Sequence, residues 1–581
     1  MHPLRFILPF ARRYRGRYVL GLALVPVSVA SSLGIPWLTG ECVGAFQEMT
    51  TGGGEIRPLL LALLGLAVAG GLALFAVRWL IISASRLVEF DLRHHLFSHL
   101  QSLDQLYYTE ARTGDIMNRV TSDVERVRLL VGPIVLYMSR TATMLAAGLP
   151  LMIAVSWQLT LLVMLPLSLM TIAVRIIGPR VHRAVFQAQE TLSELSSLAQ
   201  EDFSGIRVVK SFVKEEAEKA RFADVAERYF GENLRAARIA AWMQPLIGGV
   251  GDLALIVLLL VGGYLILAKQ LAFADFVKFA GYQVALIWPM LSIGWVVNQY
   301  YRAKASVERL EQILAVRSRV EPPPRPVSPP GGAVKGHISI RGLTFRYASE
   351  TVLEDIHLEV PAGQTIAITG RIGSGKSTLV HMIPRILPPP DGTVFVDGVD
   401  VNQLPLDELR GAVGFVPQES FLFSRSIREN IAFGVGDVEP KTVFSAAETA
   451  RLDKDVDQFP RGYEEMVGER GVTLSGGQKQ RVALARALLI GPRILILDDA
   501  FSAVDTHTEE EIIRNLDRAT SGLTTILVSH RVSSIAHADR IYVLDEGRIA
   551  EEGRHEELIE RGGLYAEIYR LQQLTDELDS L

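Results

Sequence analysis

Long runs of apolar residues alternate with charged segments over the first 320 residues of the chain. A hydrocarbon core of roughly 30 Å needs about 20 residues of helix, because an α-helix rises about 1.5 Å per residue. Runs of sufficient length lie at 18–38, 58–84, 129–155, 157–178, 244–267 and 273–299. The pattern therefore predicts a polytopic α-helical membrane domain with six transmembrane helices.

Basic residues are concentrated between the second and third runs and between the fourth and fifth. Loops rich in arginine and lysine stay on the cytoplasmic side, and an even number of spans leaves both termini on one side. We therefore predict a multi-pass protein of the cytoplasmic (inner) membrane with both termini in the cytoplasm. The amphipathic, basic segment Pro3 to Arg17 fits a helix on the inner membrane surface. A signal peptide is the alternative, although the first apolar run is longer than the apolar part of a signal peptide.

The two basic loops have a helical pattern that would continue the membrane helices into the cytosol. Each has a break, at Thr113-Gly114-Asp115 in the first loop and at Ser204-Gly205 in the second. Each break could accommodate a short transverse helix that touches a soluble domain, or it could be an ordinary helix cap.

Ionisable residues inside membrane spans are costly, so they are candidates for function. Arg78 and Arg175 lie near the inner ends of their runs and are expected to extend to the headgroups. Arg140 lies midway along the third run, where a cavity or an interhelical pair is favoured. Aromatic residues in the last run, Tyr282 among them, fit either a drug-sized cavity or an interfacial belt. The candidate substrate cavity comprises Arg140, Asp252, Lys278, Trp288 and Trp295.

Proline density marks the boundary between two different halves of the chain. The segment Glu321 to Gly332 is too rich in proline for helix or strand, and it predicts a semi-rigid linker. We assign 1–316 to the membrane domain, 317–336 to the linker, and 337–581 to a soluble domain with alternating strands and helices. The single cysteine, Cys42, excludes an intramolecular disulfide and a cysteine metal cluster. The net charge of −5 is small for 581 residues and does not identify a partner.

The first functional motif of the soluble domain is a phosphate-binding loop. The G-x-x-x-x-G-K-[ST] pattern lies between a β-like run at 365–369 and a helix-like run, the context that this motif requires. Glycines allow close approach of the backbone to a polyphosphate, the lysine neutralises phosphate oxygens, and the serine hydroxyl is a ligand for Mg²⁺. The loop consists of Gly370, Arg371, Ile372, Gly373, Ser374, Gly375, Lys376, Ser377 and Thr378.

Two further patterns complete a nucleotide site. Ile494 to Asp498 reads as a buried strand that ends in a carboxylate, which is the position required for a residue that orients Mg²⁺. A second anion site is predicted at a helix N-terminus, because its serine and glycines offer backbone donors. This second site, Leu474 followed by Ser475, Gly476, Gly477 and Gln478, suggests that one nucleotide is shared between two chains.

These motifs together resemble the ATP-binding cassette (ABC) transporter family, specifically exporters with a membrane domain fused ahead of an α/β P-loop nucleotide-binding domain. The resemblance covers nearly the whole chain. It implies that Tyr347 stacks on adenine and that Gln418 contacts Mg²⁺ and the attacking water. It also implies that Asp505 lies in the loop that crosses the dimer interface and that His530 is the γ-phosphate switch. ATP and Mg²⁺ are the implied cofactors.

One position departs from the family pattern. The family usually has Glu after the strand-end Asp, whereas this chain has Asp499. Aspartate is shorter by one methylene, about 1.5 Å, and a misplacement of about 1 Å can slow a reaction by about a hundredfold. We therefore predict slow ATP hydrolysis at the chain's own site. The run from Leu474 to Gln478 matches the signature of this family and is intact. A weakened site beside an intact signature favours the degenerate-site subunit of a heterodimeric multidrug or lipid exporter, with a homodimer as the alternative.

The predicted function is ATP-driven export or flipping of amphiphilic drugs, lipids or peptides by alternating access. The predicted partners are a second half-transporter subunit, the lipid bilayer and the substrate, with no nucleic acid. An ATP-gated channel or a regulatory subunit is the alternative, because a slow site also fits a protein that binds ATP without driving uphill transport.

Overall fold

A computed structural model of the chain describes residues 3–49, 55–347, 350–468, 471, 473–519 and 522–579. Two compact units make up the chain. One consists of Met1–Gln101 with Thr113–Val316, and the other of Ser102–Arg112 with Arg317–Leu581. The first is helical and the second contains both strands and helices.

Long apolar helices form the first unit. Short π-helical turns at Arg119–Asp123 and Leu258–Gly262 interrupt two of the helical stretches. The helices are α1 (Pro3–Arg12), α2 (Arg15–Met49), α3 (Arg57–Ser102), α5 (Thr113–Asn118), α6 (Val124–Val131), α7 (Pro133–Val155), α8 (Trp157–Ser204), α9 (Ile206–Ser211), α10 (Glu215–Ala241), α11 (Met243–Val257), α12 (Gly263–Leu267) and α13 (Phe273–Ala315).

Four helical stretches are long and apolar enough to cross a membrane within the described residues: Arg15–Met49, Arg57–Ser102, Thr113–Val155 and Phe273–Ala315. The other two predicted runs coincide with α8 and with α11 and α12, which have shorter apolar stretches at Trp157–Pro166 and Asp252–Leu267. A helical membrane domain is therefore confirmed, whereas the count of six spans stays a prediction.

The core of this unit lies where α2, α3, α7 and α13 meet. Val29, Ile81, Met144 and Leu286 are all almost fully buried there. Helices α2 and α13 approach closely at Gly281, where a Cβ atom would lie 2.5 Å from the Cβ of Pro36. No larger residue therefore fits at this crossing of α2 and α13.

A buried ion pair links the first π-helical turn to α13. Asp123 has no exposed surface and accepts hydrogen bonds from Arg309 Nε at 2.8 Å and from Ser306 Oγ at 2.9 Å. The predicted break in the first loop coincides with the start of α5 at Thr113, and α5 directly precedes the π-helical turn that contains Asp123. The second predicted break occurs at Gly205, between α8 and the exposed short helix α9.

Two β-sheets with covering helices form the second unit. A four-stranded antiparallel sheet has the order β2-β1-β4-β5, and a six-stranded sheet has the order β10-β9-β3-β8-β7-β6. All pairings in the larger sheet are parallel except that of β10 with β9. The strands are β1 (Ile338–Tyr347), β2 (Glu350–Val360), β3 (Thr365–Gly370), β4 (Val394–Val396), β5 (Val399–Asp400), β6 (Val413–Val416), β7 (Ile494–Asp498), β8 (Thr524–Val528), β9 (Arg540–Asp545) and β10 (Arg548–Gly553).

The parallel strands place the ends of β3, β7 and β8 at one edge of the sheet, which is where ligands bind in such folds. Helix α14 (Lys376–Met382) follows β3, α19 (Gly476–Leu489) precedes β7, and α23 (Leu564–Asp579) closes the described chain. The helices of this unit are α4 (Gln105–Glu110), α14 (Lys376–Met382), α15 (Leu406–Gly411), α16 (Ile427–Ile431), α17 (Pro440–Thr449), α18 (Asp453–Val456), α19 (Gly476–Leu489), α20 (Thr506–Ala519), α21 (Val532–Ile535), α22 (His555–Arg561) and α23 (Leu564–Asp579).

Helix α4 belongs to the second unit although it lies between two helices of the first in sequence. Leu106 of α4 is buried in the hydrophobic core formed by β1, β2 and α14. Asp104 caps α4 and also accepts a hydrogen bond from the backbone N–H of Arg319 at 2.6 Å. No helix or strand occurs between Val316 and β1, as the proline density predicts.

Candidate functional site

Glycines shape the phosphate-binding loop between β3 and α14. Gly370 has φ +142°, and a Cβ atom there would lie 1.9 Å from the carbonyl oxygen of Leu544 on β9. Gly375 has φ +96° and directly precedes α14. Only glycine fits this combination of left-handed backbone and close approach. The loop can therefore wrap a phosphate with backbone N–H groups at the start of a helix.

The lysine of this loop lies over the loop itself. Lys376 Nζ donates hydrogen bonds to the carbonyl oxygens of Gly370 at 2.9 Å and Arg371 at 2.8 Å. Burial lowers the pKa of the Lys376 ammonium, while Asp499 and Asp498 act in the opposite direction. A bound phosphate would replace the two carbonyl oxygens as the acceptor for this ammonium group.

Oxygen ligands suited to Mg²⁺ meet at the ends of β3 and β7. Ser377 Oγ donates to Asp498 Oδ1 at 3.0 Å, and Asp498 is 2% exposed. Burial raises the pKa of the Asp498 carboxyl, although the hydrogen bond from Ser377 opposes this shift. His381 Nε2 lies 3.8 Å from Asp498 Oδ2, and burial lowers the pKa of this imidazole. The hydroxyl and the carboxylate are hard oxygen donors that fit Mg²⁺.

Asp499 lies between two of the other predicted site residues. Its Oδ2 accepts from Gln418 Nε2 at 3.3 Å, and its Oδ1 lies 3.0 Å from His530 Nδ1. The backbone of Asp499 has φ +49°, a left-handed conformation that aspartate adopts more readily than most residues. Its N–H donates to the Val528 carbonyl at 2.8 Å, which fixes the point from which the carboxylate extends.

A cavity of about 430 Å³ brings most of these residues together. Its described lining contains none of Ser475, Gly476, Gly477 and Gln478. Tyr347 is also absent from that lining; its ring is 37% exposed and packs edge to face against Phe345, with centroids 5.0 Å apart. The lining includes Ile372, Gly373, Gly375, Lys376, Ser377, Thr378, Gln418, Asp498, Asp499 and His530.

The signature sequence forms the N-terminus of α19. Ser475 caps this helix, accepting from the Gln478 N–H at 3.2 Å, while Gln478 Oε1 accepts from the Ser475 N–H at 2.9 Å. Ser475 and Gly476 are exposed. Gln478 Nε2 also donates to Asp455 Oδ1 at 3.0 Å. The helix start is therefore a preformed donor site that faces solvent in the single chain.

The loop after β7, residues 499–505, packs on the signature helix. A Cβ atom on Gly477 would lie 2.8 Å from the carbonyl oxygen of Ala503, so no larger residue fits. Gln480 donates to Ser502 Oγ at 2.9 Å and accepts from the Ala503 N–H at 3.0 Å. Gln480 stands two residues after the signature, and nothing in the sequence motif distinguishes it from any other residue of the helix.

Arg531 and Asp505 hold the same loop from its other side. Arg531 donates to the carbonyl oxygens of Ser502 at 3.2 Å and Val504 at 3.1 Å. Asp505 caps α20, and the hydrogen bond from the Thr508 backbone lowers the pKa of its carboxyl. The loop 499–505, helix α19 and the segment that carries His530 are thus one hydrogen-bonded assembly.

Helix α23 contacts both His530 and the phosphate-binding loop. Gln572 donates from its Nε2 to the backbone carbonyl of His530 and accepts from the Val532 N–H at 2.8 Å. Glu567 Oε2 lies 3.8 Å from Arg371 Nη2. No sequence motif points to Gln572, because its role depends on where α23 docks.

In the membrane unit, a second cavity of about 430 Å³ is lined by residues of α2, α3, α7 and α13. Arg140 and Trp288 line it, as does Arg78. Trp295 lies beside it, packed edge to face on Tyr137 at 5.4 Å.

The remaining predicted membrane residues lie away from this cavity. Lys278 forms ion pairs with Glu41 at 2.8 Å and Asp275 at 3.0 Å. Asp252 is exposed and does not line the cavity. Tyr282 is buried, and the side chain of Arg175 lies outside the described residues.

Comparisons with known proteins agree with this architecture. A family model for the ABC transporter transmembrane region matches residues 18–290, and a model for the ABC transporter matches residues 353–502. The chain is 36% identical over 573 residues to a probable multidrug resistance ABC transporter ATP-binding/permease protein of Bacillus subtilis, covering 97% of each chain. It is 35% identical to a multidrug resistance-like ATP-binding protein of Escherichia coli, covering 98% of this chain and 96% of that protein.

A solved structure described as a bacterial Atm1-family ABC exporter with ATP bound matches with a TM-score of 0.79 and 27% identity. The match covers 96% of this chain and 99% of that one. The resemblance indicated by the sequence motifs is therefore confirmed. This chain belongs to the ABC transporter family, as an exporter-type chain with a transmembrane domain fused to an ATP-binding domain.

Proposed function

We propose that this chain is one half of a dimeric exporter that uses ATP to move amphiphilic substrates out across the cytoplasmic membrane. The main support is the composition of the nucleotide cavity. Its described lining includes residues of the phosphate-binding loop but none of the signature residues. The exposed start of α19 offers a second set of anion-binding donors, and it does not line the nucleotide cavity of its own chain. Two chains facing each other would give each ATP both sets of contacts.

Each residue of the cavity then has a distinct task. The loop N–H groups and Lys376 bind the β- and γ-phosphates, and Ser377 and Asp498 would hold Mg²⁺. Mg²⁺ neutralises charge on the transferred phosphoryl group when it is bound. Asp499 is the group that would accept a proton from the attacking water, with Gln418 and His530 orienting it.

We propose a heterodimer in which this chain contributes the slower of two sites. Asp499 extends one methylene less than glutamate from a backbone position that is held by its hydrogen bond to Val528. The signature of the same chain is intact, and its Ser475 and Gly476 are exposed, so this helix start can serve the partner's ATP. A homodimer with two sluggish sites is the alternative, and purification of the tagged chain followed by mass spectrometry of the assembly distinguishes the two.

Closure of two cassettes on ATP would drive six spans per chain between inward-open and outward-open states. A change in population from 1:99 to 99:1 requires ATP to favour the closed form by about 5.5 kcal/mol. The names of the Bacillus and Escherichia relatives support drugs as substrates, and lipids and peptides share the same amphiphilic chemistry.

The decisive experiment measures solute movement in sealed vesicles that contain the purified assembly. We expect accumulation of an amphiphilic dye against its gradient, dependent on ATP and abolished by Lys376→Ala. Flux that only equilibrates the dye, even with ATP present, would instead support an ATP-gated channel, which the slow site at Asp499 also fits.

A further inference from the structure

The cavity in the membrane unit contains two cationic side chains of unassigned role. Arg78 of α3 and Arg140 of α7 both line it, so two guanidinium groups share one cavity. Two like charges placed together in a membrane span are costly unless a counter-charge is present. The sequence alone favours extension of Arg78 towards the headgroups, and in the structure this exposed side chain also lines the cavity.

No counter-charge for these arginines is found within the described part of the unit. None of the residues that line the cavity is Asp or Glu, and no ion pair of Arg78 or Arg140 occurs among the described residues. Lys278 of α13, outside the cavity, pairs in contrast with Glu41 and Asp275. The chain therefore neutralises one membrane cation internally and leaves two others directed into a cavity.

The other polar groups of the cavity have partners of their own. Thr141 Oγ1 and Ser292 Oγ lie 2.8 Å apart, and Ser292 also donates to the Pro289 carbonyl at 2.7 Å. Apolar surface makes up the rest, with Leu74, Met144 and the largely exposed indole of Trp288. The volume of about 430 Å³ is within the usual range for drug-sized ligands.

We propose that this cavity binds the anionic headgroup of an amphiphilic substrate, with Arg78 and Arg140 as ligands and Trp288 against the apolar part. The inference rests on the proposed export function and narrows its substrate class from amphiphiles in general to anionic amphiphiles. Arginine suits this role because its planar fork matches carboxylate, sulfonate and phosphate oxygens in pairs. A cationic drug would meet two like charges there and be excluded.

The test uses a matched set of fluorescent probes that share one dansyl-labelled twelve-carbon chain. They end in a carboxylate, a sulfonate, a trimethylammonium group or a neutral hydroxyl. Binding is measured by fluorescence polarisation to the complete assembly in lipid nanodiscs without nucleotide. We expect the two anionic probes to bind at least tenfold more tightly than the hydroxyl probe and the cationic probe to bind most weakly.

Substitutions localise the effect to the cavity. Arg78→Gln and Arg140→Gln should each weaken anionic binding about tenfold and leave hydroxyl-probe binding nearly unchanged. Arg57→Gln, on the same helix but outside the cavity, is the control and should change neither value. Arg78→Lys and Arg140→Lys retain the charge and should restore part of the affinity, which keeps the test valid if a Gln variant assembles poorly.

Two outcomes would overturn the proposal. Preferential binding of the trimethylammonium probe would refute an anionic site, and ATP-driven transport of that probe would leave the export function intact. Loss of dimer assembly in the Gln variants, with equal affinity of the native protein for all four probes, would show that the arginines pair with acidic groups of the partner subunit. ATP-independent flux of every probe would contradict the export function itself, a separate failure.

Discussion

Replacement of Asp499 by Glu tests the proposal that side-chain length limits ATP hydrolysis at this site. Both residues carry one negative charge, and the change adds one methylene, about 1.5 Å of reach. The starting point of the side chain is fixed by the 2.8 Å hydrogen bond to Val528, so the added length moves the carboxylate away from the backbone. Because a shift of about 1 Å can cost about a hundredfold, restoring the reach is worth up to about 2.7 kcal/mol in the barrier.

We expect Asp499→Glu to raise ATP turnover by tenfold to about a hundredfold at this site. The left-handed backbone, φ +49°, is less favourable for Glu than for Asp, so a small loss of thermal stability should accompany the gain. The assay is phosphate release by the complete assembly in nanodiscs. In a heterodimer, the phosphate-loop lysine of the partner is replaced so that the release reports this site.

Two control variants separate the effect of side-chain length at position 499 from the effects of charge and of crowding at the ion site. Asp499→Asn keeps the size but removes the charge, so it should lower turnover further. Asp498→Glu adds the same methylene one residue earlier, where Ser377 Oγ already lies 3.0 Å from the carboxylate, so it should crowd the ion site and lower turnover. Unchanged turnover in Asp499→Glu, with nucleotide binding intact, would refute the claim that side-chain length limits hydrolysis.

Three further predictions concern other parts of the chain. Gly477→Ala should reduce ATPase activity, measured as phosphate release, at least tenfold, because the new methyl group would lie 2.8 Å from the Ala503 carbonyl oxygen. Gln572→Ala should lower kcat several-fold with little change in KM, since Gln572 contacts the backbone on either side of Arg531 and does not line the nucleotide cavity. Asp123→Asn should lower the free energy of unfolding by about 2 kcal/mol, because Arg309 would lose its ion-pair partner while it keeps partial solvent contact. The melting temperature, measured by intrinsic fluorescence, should therefore fall, and an unchanged value would contradict this.

The nucleotide chemistry was accessible from sequence because its residues are contiguous. The phosphate-binding loop and the strand that ends at Asp498 each form one uninterrupted motif, and local backbone rules determine their geometry. The roles of Gln480, Arg531 and Gln572 were not accessible. Each contacts backbone groups far away in sequence, and no local pattern encodes such contacts.

The membrane unit was less predictable for a physical reason. Hydropathy identifies which helices are apolar but not which face of each helix meets a neighbour. Arg78 and Lys278 are both cations within apolar runs, yet one lines a cavity and the other is neutralised by Glu41 and Asp275. The pairing depends on how α2, α3 and α13 rotate about their axes, which becomes visible only when the helices are packed together.

The insertion of residues 102–112 into the core of the second unit limits how the protein can be divided for experiments. Expression from Arg317 onwards would omit Leu106, which is buried against that core, and would leave the Arg319 N–H without the Asp104 carboxylate. A fragment cut at the proline-rich linker would expose the hydrophobic surface that α4 normally covers. Soluble preparations of the cassette alone are therefore expected to self-associate, and tethering the 102–112 peptide to them should restore a monomer.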